Sequence, residues 1–407
     1  MHDGQDLARR AVEATARQGY GKLLAWLAAR TRDLAAAEDA LADAFARALA
    51  VWPVEGVPDS PEAWLLTVAR RRAIDARRRL RTRDDTATVL QLLAEEADTE
   101  GEGAGIPDRR LALMFACAHP AIEPAVRAPL MLQTVLGFDS GAIAAAFLTA
   151  PATMGQRLVR AKRKIRDAGI SFAVPACDEL ADRLETVLDA VYAVYSEGWA
   201  EPRALAAEAI WLGRLLVSLL PDEPEALGLL SLMLHAEARR DARRDAAGAY
   251  VPLADQDPSR WNAAMIDEAE ALLHRAGGMR RIGRYQLEAA VQSAHATRVH
   301  TGRTDWPVIL QFYDALLELT GSPVVALNRA VALAEVRGPA AGLAALDAIA
   351  ADERLSAYQP WWATRAALLA RTGAREAAAS AYATAIALEE DEAVRRFLQS
   401  AKESLPS

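Results

Sequence analysis

Apolar residues recur at helical spacing along almost the whole chain. The pattern predicts a first helix over residues 5–32 and a second over residues 34–52. Asp33 is expected to cap the second helix, and Pro53 is expected to end it. The apolar positions are Leu23, Leu24 and Leu27 in the first helix, and Leu34, Leu41, Phe45, Leu49 and Trp52 in the second.

A third predicted helix combines an apolar face with a cationic one. Ser60 is expected to cap it, Pro61 to occupy its first position, and residue 81 to end it. Its apolar side holds Trp64, Leu65 and Val68, whereas Arg70, Arg77 and Arg81 are predicted on the opposite side, with Arg71 and Arg78 beside them.

Residues 139–169 have the pattern of a helix-turn-helix. A short helix over residues 139–147 precedes a turn, and a second helix is expected from Pro151 to about Asp167, with Gly169 after it. The inner face of the second helix is Met154, Leu158, Ala161 and Ile165, and its outer face is Thr153, Gln156, Arg157, Arg160 and Lys164. Generic helical hairpins share this pattern, but a cationic outer face is typical of DNA binding.

The chain beyond Pro175 is predicted to be helical throughout. Residues 178–198 form one amphipathic helix, and the segments 327–349 and 367–388 have the small–large alternation of tetratricopeptide-like helix pairs. Residues 230–253 resemble a more distant copy. The pattern indicates a helical protein-interaction platform, with an irregular helical bundle as the alternative.

Composition narrows the class of protein. The chain has 407 residues and only two cysteines, so it has no disulfide framework, which indicates a reducing cytoplasm. We expect no membrane span and no signal segment, because the sequence has no run of about 18 apolar residues and no apolar N-terminal core. Helix-forming residues dominate, so the expected fold class is all-α with several domains.

Charge is segregated along the chain. The formal net charge is −8, but residues 1–175 carry +2 and the remainder −10. Residues 70–83 hold eight arginines and one acid, residues 84–108 hold eight acids and no base, and residues 157–166 hold six bases and no acid. Salt-bridged helix faces are the plain interpretation, whereas basic stripes of this density are the footprint of phosphate binding.

Enzymatic chemistry has no motif in this sequence. There is no phosphate-binding loop, the Gly-containing segment 101–105 follows no strand, and no HExxH occurs. His295 and His300 are five residues apart and fall on different helix faces, so a zinc pair is not expected. Cys117 is interpreted as a small core residue. We therefore expect no catalytic residue, no cofactor and no metal.

Several blocks of sequence together resemble one family. AAEDALADAFARALAVWP (36–53) and PDSPEAWLLTVARRRAIDARRR (58–79) resemble region 2 of bacterial sigma factors of the extracytoplasmic-function type, and residues 136–166 resemble their region 4. The blocks YSEGW (195–199), AEAIWLGRLL (207–216) and SPVVALNRAVALA (322–334) resemble the group of these sigma factors that is fused to a tetratricopeptide-like C-terminal domain.

The resemblance implies partners and a role for each site. Core RNA polymerase would be bound through its β′ clamp and β flap, and promoter DNA at its −10 and −35 elements. The polymerase contacts would be Glu38, Asp39, Leu41, Asp43 and Phe45. The −10 contacts would be Asp59, Ser60, Arg70, Arg71, Arg77, Arg78 and Arg81, and the −35 contacts Thr153, Gln156, Arg157, Arg160 and Lys164.

The resemblance also implies the organisation of the chain. Residues 1–83 would be region 2, 84–108 an acidic linker, 109–172 region 4, 173–199 a connecting helix, and 200–407 a regulatory domain that contacts the sigma regions. That domain would either mask the basic helices or support polymerase binding. The family often has Glu-Ile-Ala where residues 141–143 read Gly-Ala-Ile, which is expected to leave the first helix of the helix-turn-helix less well capped.

A conventional helix-turn-helix regulator with a repeat-type sensor is the alternative. It would account for residues 139–166, but not for the separate acidic and arginine-rich helices. A repeat scaffold without a nucleic-acid role would account only for the C-terminal half.

Overall fold

A computed structural model describes residues 2–80, 108–147, 149–197, 203–352 and 355–405. The fold is all-α, as the composition predicts. In the described residues, extended pairing is limited to a single antiparallel bridge between Arg244 and Tyr250. The chain divides into two compact units, Met1–Leu212 and Gly213–Ser407. This boundary lies inside a helix, 13 residues after the one expected between 199 and 200.

The first unit is built from eight helices in its described residues, and a ninth crosses the boundary. They are α1 (His2–Thr31), α2 (Leu34–Glu55), α3 (Pro61–Leu80), α4 (Arg110–Cys117), α5 (Pro124–Leu136), α6 (Ser140–Ala146), α7 (Pro151–Asp167), α8 (Cys177–Glu197) and α9 (Arg203–Leu219).

Helices α1, α2 and α3 pack on one another as a three-helix bundle. The predicted leucines of α1 are buried, and the Asp33 carboxylate caps α2 by accepting from the amide of Ala36. Most buried positions of α2 are alanines, which let its neighbours approach closely. They are Ala37, Ala40, Ala44 and Ala48, together with Leu34, Leu41 and Trp52.

Two expectations for α2 were wrong. Leu49 is 49% exposed, because the alanine face rather than the full leucine stripe turns toward α1 and α3. Pro53 does not end the helix, which continues to Glu55 and is capped by Gly56 at φ +91°. A proline in the last turn removes only the bond to the carbonyl of Leu49, a residue on the exposed side.

Helices α4 to α8 pack against this bundle rather than apart from it. α1 contacts α4 and α5, and α2 contacts α7. A Cβ on Gly21 of α1 would lie 2.2 Å from the backbone oxygen of Val135 in α5, so the two backbones almost touch. The guanidinium of Arg183 in α8 donates to the carbonyl of Phe115 at the buried end of α4. The helices on the two sides of residues 81–107 therefore form one body.

The second unit is a succession of helices. They are α10 (Pro224–Ala238), α11 (Ala263–Gly278), α12 (Arg284–Ala296), α13 (Arg298–Thr301), α14 (Trp306–Thr320), α15 (Pro323–Arg337), α16 (Pro339–Asp347), α17 (Gln359–Arg371), α18 (Arg375–Leu388) and α19 (Glu392–Glu403). Consecutive members of the series α14 to α19 pack on each other, and α10 packs on both α11 and α12.

Two of the three predicted helix pairs form helical hairpins, and the third does not. Gly338 and Gly373 occupy the turns of the α15–α16 and α17–α18 hairpins, at φ +90° and +80°. Residues 230–253 are not a pair. After α10 the chain enters a 3-10 turn and then a loop in which the Asp245 carboxylate accepts from the amides of Ala247 and Ala249. Those local bonds compete with helix formation.

Candidate nucleic-acid interface

Two of the five expected polymerase contacts lie on the exposed side of α2. Asp39 and Asp43 are exposed, and Phe45 is half-buried, with its ring stacked 6.5 Å from that of Tyr20. Leu41 is fully buried in the three-helix core, so its side chain supports the helix and is not on the surface of this structure. The fully exposed part of the expected set is therefore the pair of carboxylates Asp39 and Asp43.

Glu38 differs from Asp39 and Asp43 because it is largely buried in an ion pair with α7, whereas Asp43 is exposed and lies 3.8 Å from Arg72 of α3. The Glu38 carboxylate accepts from the ammonium of Lys162 in α7, and only 15% and 10% of the two side chains are exposed. Burial raises the pKa of Glu38, and Lys162 opposes that effect. Burial, together with the nearby Glu38 carboxylate, raises the pKa of the Tyr20 hydroxyl.

The arginines of α3 do not all lie on one outer strip. Arg71 is exposed, whereas Arg70 is half-buried and lines a groove between α3 and α1 with Trp26 and Arg30. Sequence spacing placed Arg70 opposite the apolar face, and this expectation was wrong because α1 covers that side of the helix. The guanidinium of Arg30 lies 3.7 Å from the Trp26 ring centre, a cation–π contact that sequence reasoning missed.

The remaining −10 residues fall at the two ends of α3. Asp59 and Ser60 are exposed in the loop before the helix, where the carbonyl of Ser60 accepts from the amide of Trp64. Arg77 and Arg78 belong to α3, but their side chains lie outside the described residues, as does the whole of Arg81. The acidic linker also lies outside them, except Asp108, whose carboxylate accepts from Arg110.

The helix-turn-helix is formed by α6 and α7. The carboxylate of Asp139 caps α6 by accepting from the amides of Gly141 and Ala142, at 2.8 and 3.0 Å. The expectation that α6 is less well capped was therefore wrong, because Asp139 supplies the acceptor. The four predicted inner residues of α7 are all buried, while Arg157 is half-buried and the other predicted outer residues, Thr153, Gln156, Arg160 and Lys164, are exposed.

A second cationic strip of α7 turns toward α2, and sequence reasoning missed it. Lys162 binds Glu38, and the guanidinium of Arg166 lies 3.7 Å from the carboxylate of Asp33. Spacing alone does show that Lys162 falls opposite Thr153 on the helix. It does not show that an acidic helix occupies that side.

Groups with catalytic or metal-binding character are scarce in the described parts of the chain. These parts hold no group of three or more His, Cys, Asp or Glu side chains that could bind a metal. The Cys117 thiol is fully buried, lies 3.2 Å from the Thr134 hydroxyl, and has its pKa raised by burial to about 12. Such a thiol is a core group rather than a nucleophile.

None of the described helices is both long and apolar enough to cross a membrane.

Two segments of the chain match known protein families. Residues 16–83 match the sigma-70 region 2 family, and residues 183–277 match a family of unknown function, DUF6596. No solved structure matches. The chain is 40% identical over 384 residues to an uncharacterized protein of Rhizobium meliloti (strain 1021), covering 91% of this chain and 89% of that protein. The chain therefore belongs to the same family as this Rhizobium meliloti protein, and its N-terminal match to sigma-70 region 2 supports a relationship to the sigma-70 family.

Proposed function

We propose that the chain is a sigma subunit of RNA polymerase that directs initiation at specific promoters. The observation that carries the proposal is the match of residues 16–83 to sigma-70 region 2, which coincides with the α1–α3 bundle. The helix-turn-helix of α6 and α7 follows in the same compact unit. A conventional regulator would need only the second of these two features.

The residue types on each helix support its proposed role. The exposed carboxylates of Asp39 and Asp43 on α2 suit a basic partner surface on the β′ clamp. The arginine-rich second half of α3 suits the −10 element, since guanidinium groups bind phosphates and stack on unpaired bases. Gln156, Arg157 and Arg160 of α7 suit the edges of bases in the −35 major groove.

We assign the chain to the extracytoplasmic-function group that carries a tetratricopeptide-like extension, and we propose a cytoplasmic protein with no enzymatic activity. The hairpins of α15–α16 and α17–α18 support the extension. We further propose that the second unit regulates the first through an intramolecular contact. Its segment of the sequence, residues 213–407, carries 25 acids and 21 bases, and this net charge of −4 suits a role against basic helices.

A gel-shift assay with and without core polymerase distinguishes a sigma subunit from a conventional helix-turn-helix regulator. A sigma subunit should shift promoter DNA only when core enzyme is present, whereas a conventional helix-turn-helix regulator should shift duplex DNA alone. A shift that needs no core enzyme and is unchanged by it would favour the conventional regulator.

A truncated chain tests the proposed regulation. Ending the chain after α9 keeps all of the first unit, whereas ending it near Gly198 would remove part of that unit. More promoter-dependent transcription from the truncated chain would indicate masking by the second unit, and less would indicate support. Unchanged transcription would argue against regulation.

A further inference from the structure

We propose that the first unit is held in a closed state by the Lys162–Glu38 pair, and that this pair must break before the chain can engage both promoter elements. The inference rests on the proposed function. Glu38 then has two alternative partners, Lys162 of its own chain in the closed state and the polymerase in the open one.

The contact is specific and largely shielded from water. Lys162 and Glu38 lie 124 residues apart in the sequence, and at least 85% of each side chain is covered. Arg166, one turn further along α7, lies 3.7 Å from Asp33 at the N-terminus of α2. Two cations of α7 thus face one acid of α2 and the acid that caps this helix. Paired charges with little solvent contact are screened weakly by salt.

The helix α7 uses separate faces for separate contacts. At 3.6 residues per turn, Lys162 lies about 180° around the helix from Thr153, while Arg160 and Lys164 lie within about 20° of Thr153. The buried residues such as Leu158 and Ala161 lie between these two faces. The proposed DNA-reading face therefore stays exposed while the opposite edge is bound to α2.

Distance shows why the closed state is incompatible with promoter binding. The −10 and −35 elements are, by their numbering, about 25 base pairs apart, or about 85 Å at about 3.4 Å per base pair. A compact body of about 210 residues has a radius of gyration of about 17 Å and a diameter of about 45 Å. Since α3 and α7 both contact elements of this one body, they cannot reach the two sites while α7 stays on α2.

Glu38 also links opening to polymerase binding. It lies one residue before Asp39 on the proposed polymerase-binding helix, and its carboxylate is occupied by Lys162. A basic partner surface that takes the Glu38 carboxylate displaces Lys162. The closed contact and the polymerase contact therefore exclude each other, so binding of polymerase shifts the population toward the open state.

Fluorescence transfer on the full chain tests the closed state without polymerase. Dyes are attached at A46C on α2 and A152C on α7, both at exposed positions, with Cys177 replaced by serine and Cys117 left buried. The K162E variant should lose transfer, because it puts two carboxylates together. The charge-swapped variant K162E/E38K should regain it, and K162R should keep it.

The fluorescence-transfer measurements test the proposal independently of any transcription assay. Fluorescence transfer that is unchanged in K162E, or lost equally in K162E and in K162E/E38K, would show that the Lys162–Glu38 pair does not hold the closed state. If K162E loses helical circular dichroism, K162Q removes the charge while keeping a polar side chain and is read in the same way. Core polymerase should lower transfer in the parent and should bind K162Q up to about tenfold more tightly. If the chain does not bind core polymerase at all, the proposed function is refuted, but the closed state held by the Lys162–Glu38 pair is not.

Discussion

Gly21 of α1 lies directly against the backbone carbonyl of Val135 in α5, with no room between them for a side chain. This approach joins the three-helix bundle to α5, the helix that precedes the helix-turn-helix. Close packing between α1 and α5 therefore requires a glycine at position 21.

The G21A variant should be clearly destabilised. Its Cβ would lie 2.2 Å from the Val135 oxygen, so α1 and α5 must move apart at a cost of about 1–3 kcal/mol or more. G155A is the matched control, because a Cβ on Gly155 of α7 would have no atom within 4 Å, and alanine there should stabilise by about 0.5–1 kcal/mol. Thermal unfolding measures both, and equal melting temperatures for G21A and the parent would contradict the close approach.

The exposed face of α7 should determine −35 binding. R160A and Q156A should each weaken the polymerase-bound complex on promoter DNA by about 1–3 kcal/mol, because each side chain can contact a base edge or a phosphate. R396A removes an exposed arginine of α19 and should leave the affinity unchanged. The measurement is a binding titration at fixed salt. Equal losses for R160A and R396A would show that only total charge matters.

The acids of α2 should set the rate of polymerase capture. D39N and D43N each remove an exposed carboxylate from the proposed contact surface, so association with core polymerase should slow several-fold while dissociation changes little. Surface-capture kinetics at two salt concentrations measure both rates. D182N removes an exposed acid of α8 and serves as the control. An effect of D182N as large as that of D39N would refute a localised surface.

Acid should destabilise the second unit through the buried His235 and the half-buried His295. Burial, helped by the nearby Arg239, lowers the pKa of His235 in α10 to about 4, and burial with Arg239 and Arg298 does the same for His295 in α12. The Glu270 carboxylate lies 3.4 Å from the His235 ring, but it is 45% exposed to water and does not offset the burial.

The direction of this pH dependence follows from proton binding by the folded and unfolded chains. The unfolded chain binds a proton at the ordinary histidine pKa of about 6.5, and the folded one only near 4, so stability is lost as pH falls from about 6.5 toward 4. For His235 the loss is up to about 3 kcal/mol. H235L should flatten the dependence of the unfolding free energy on pH, whereas H300Q, at an exposed site, should not. An unchanged slope in H235L would contradict a neutral buried His235.

Local features of the fold follow from the sequence. The Asp33 cap, the start of α7 at Pro151 and the buried face of α7 all depend on neighbouring residues in one or two turns, where spacing and capping chemistry decide the outcome. The positions where helix pairs give way to loops in the second unit are less predictable. Residues 230–253 have the composition of a helix pair, but turn bonds made by Asp245 prevail there.

Long-range features of the candidate site do not follow from the sequence. Nothing in the spacing of charges shows that Lys162 meets Glu38, because a pairing across 124 residues depends on how α7 packs against α2. The same holds for Arg70, which lies in a groove beside α1 although its position on the helical wheel suggested an outer face. Tertiary packing decides which polar faces meet water and which meet each other.

The most direct test of the central claim is transcription by core polymerase with the full-length chain on a library of random promoters. The account predicts start sites that depend on the chain and lie downstream of two enriched sequence blocks, with R160A relaxing the base preference of the upstream block alone. Start sites that are the same with core polymerase alone and with the chain added would contradict it.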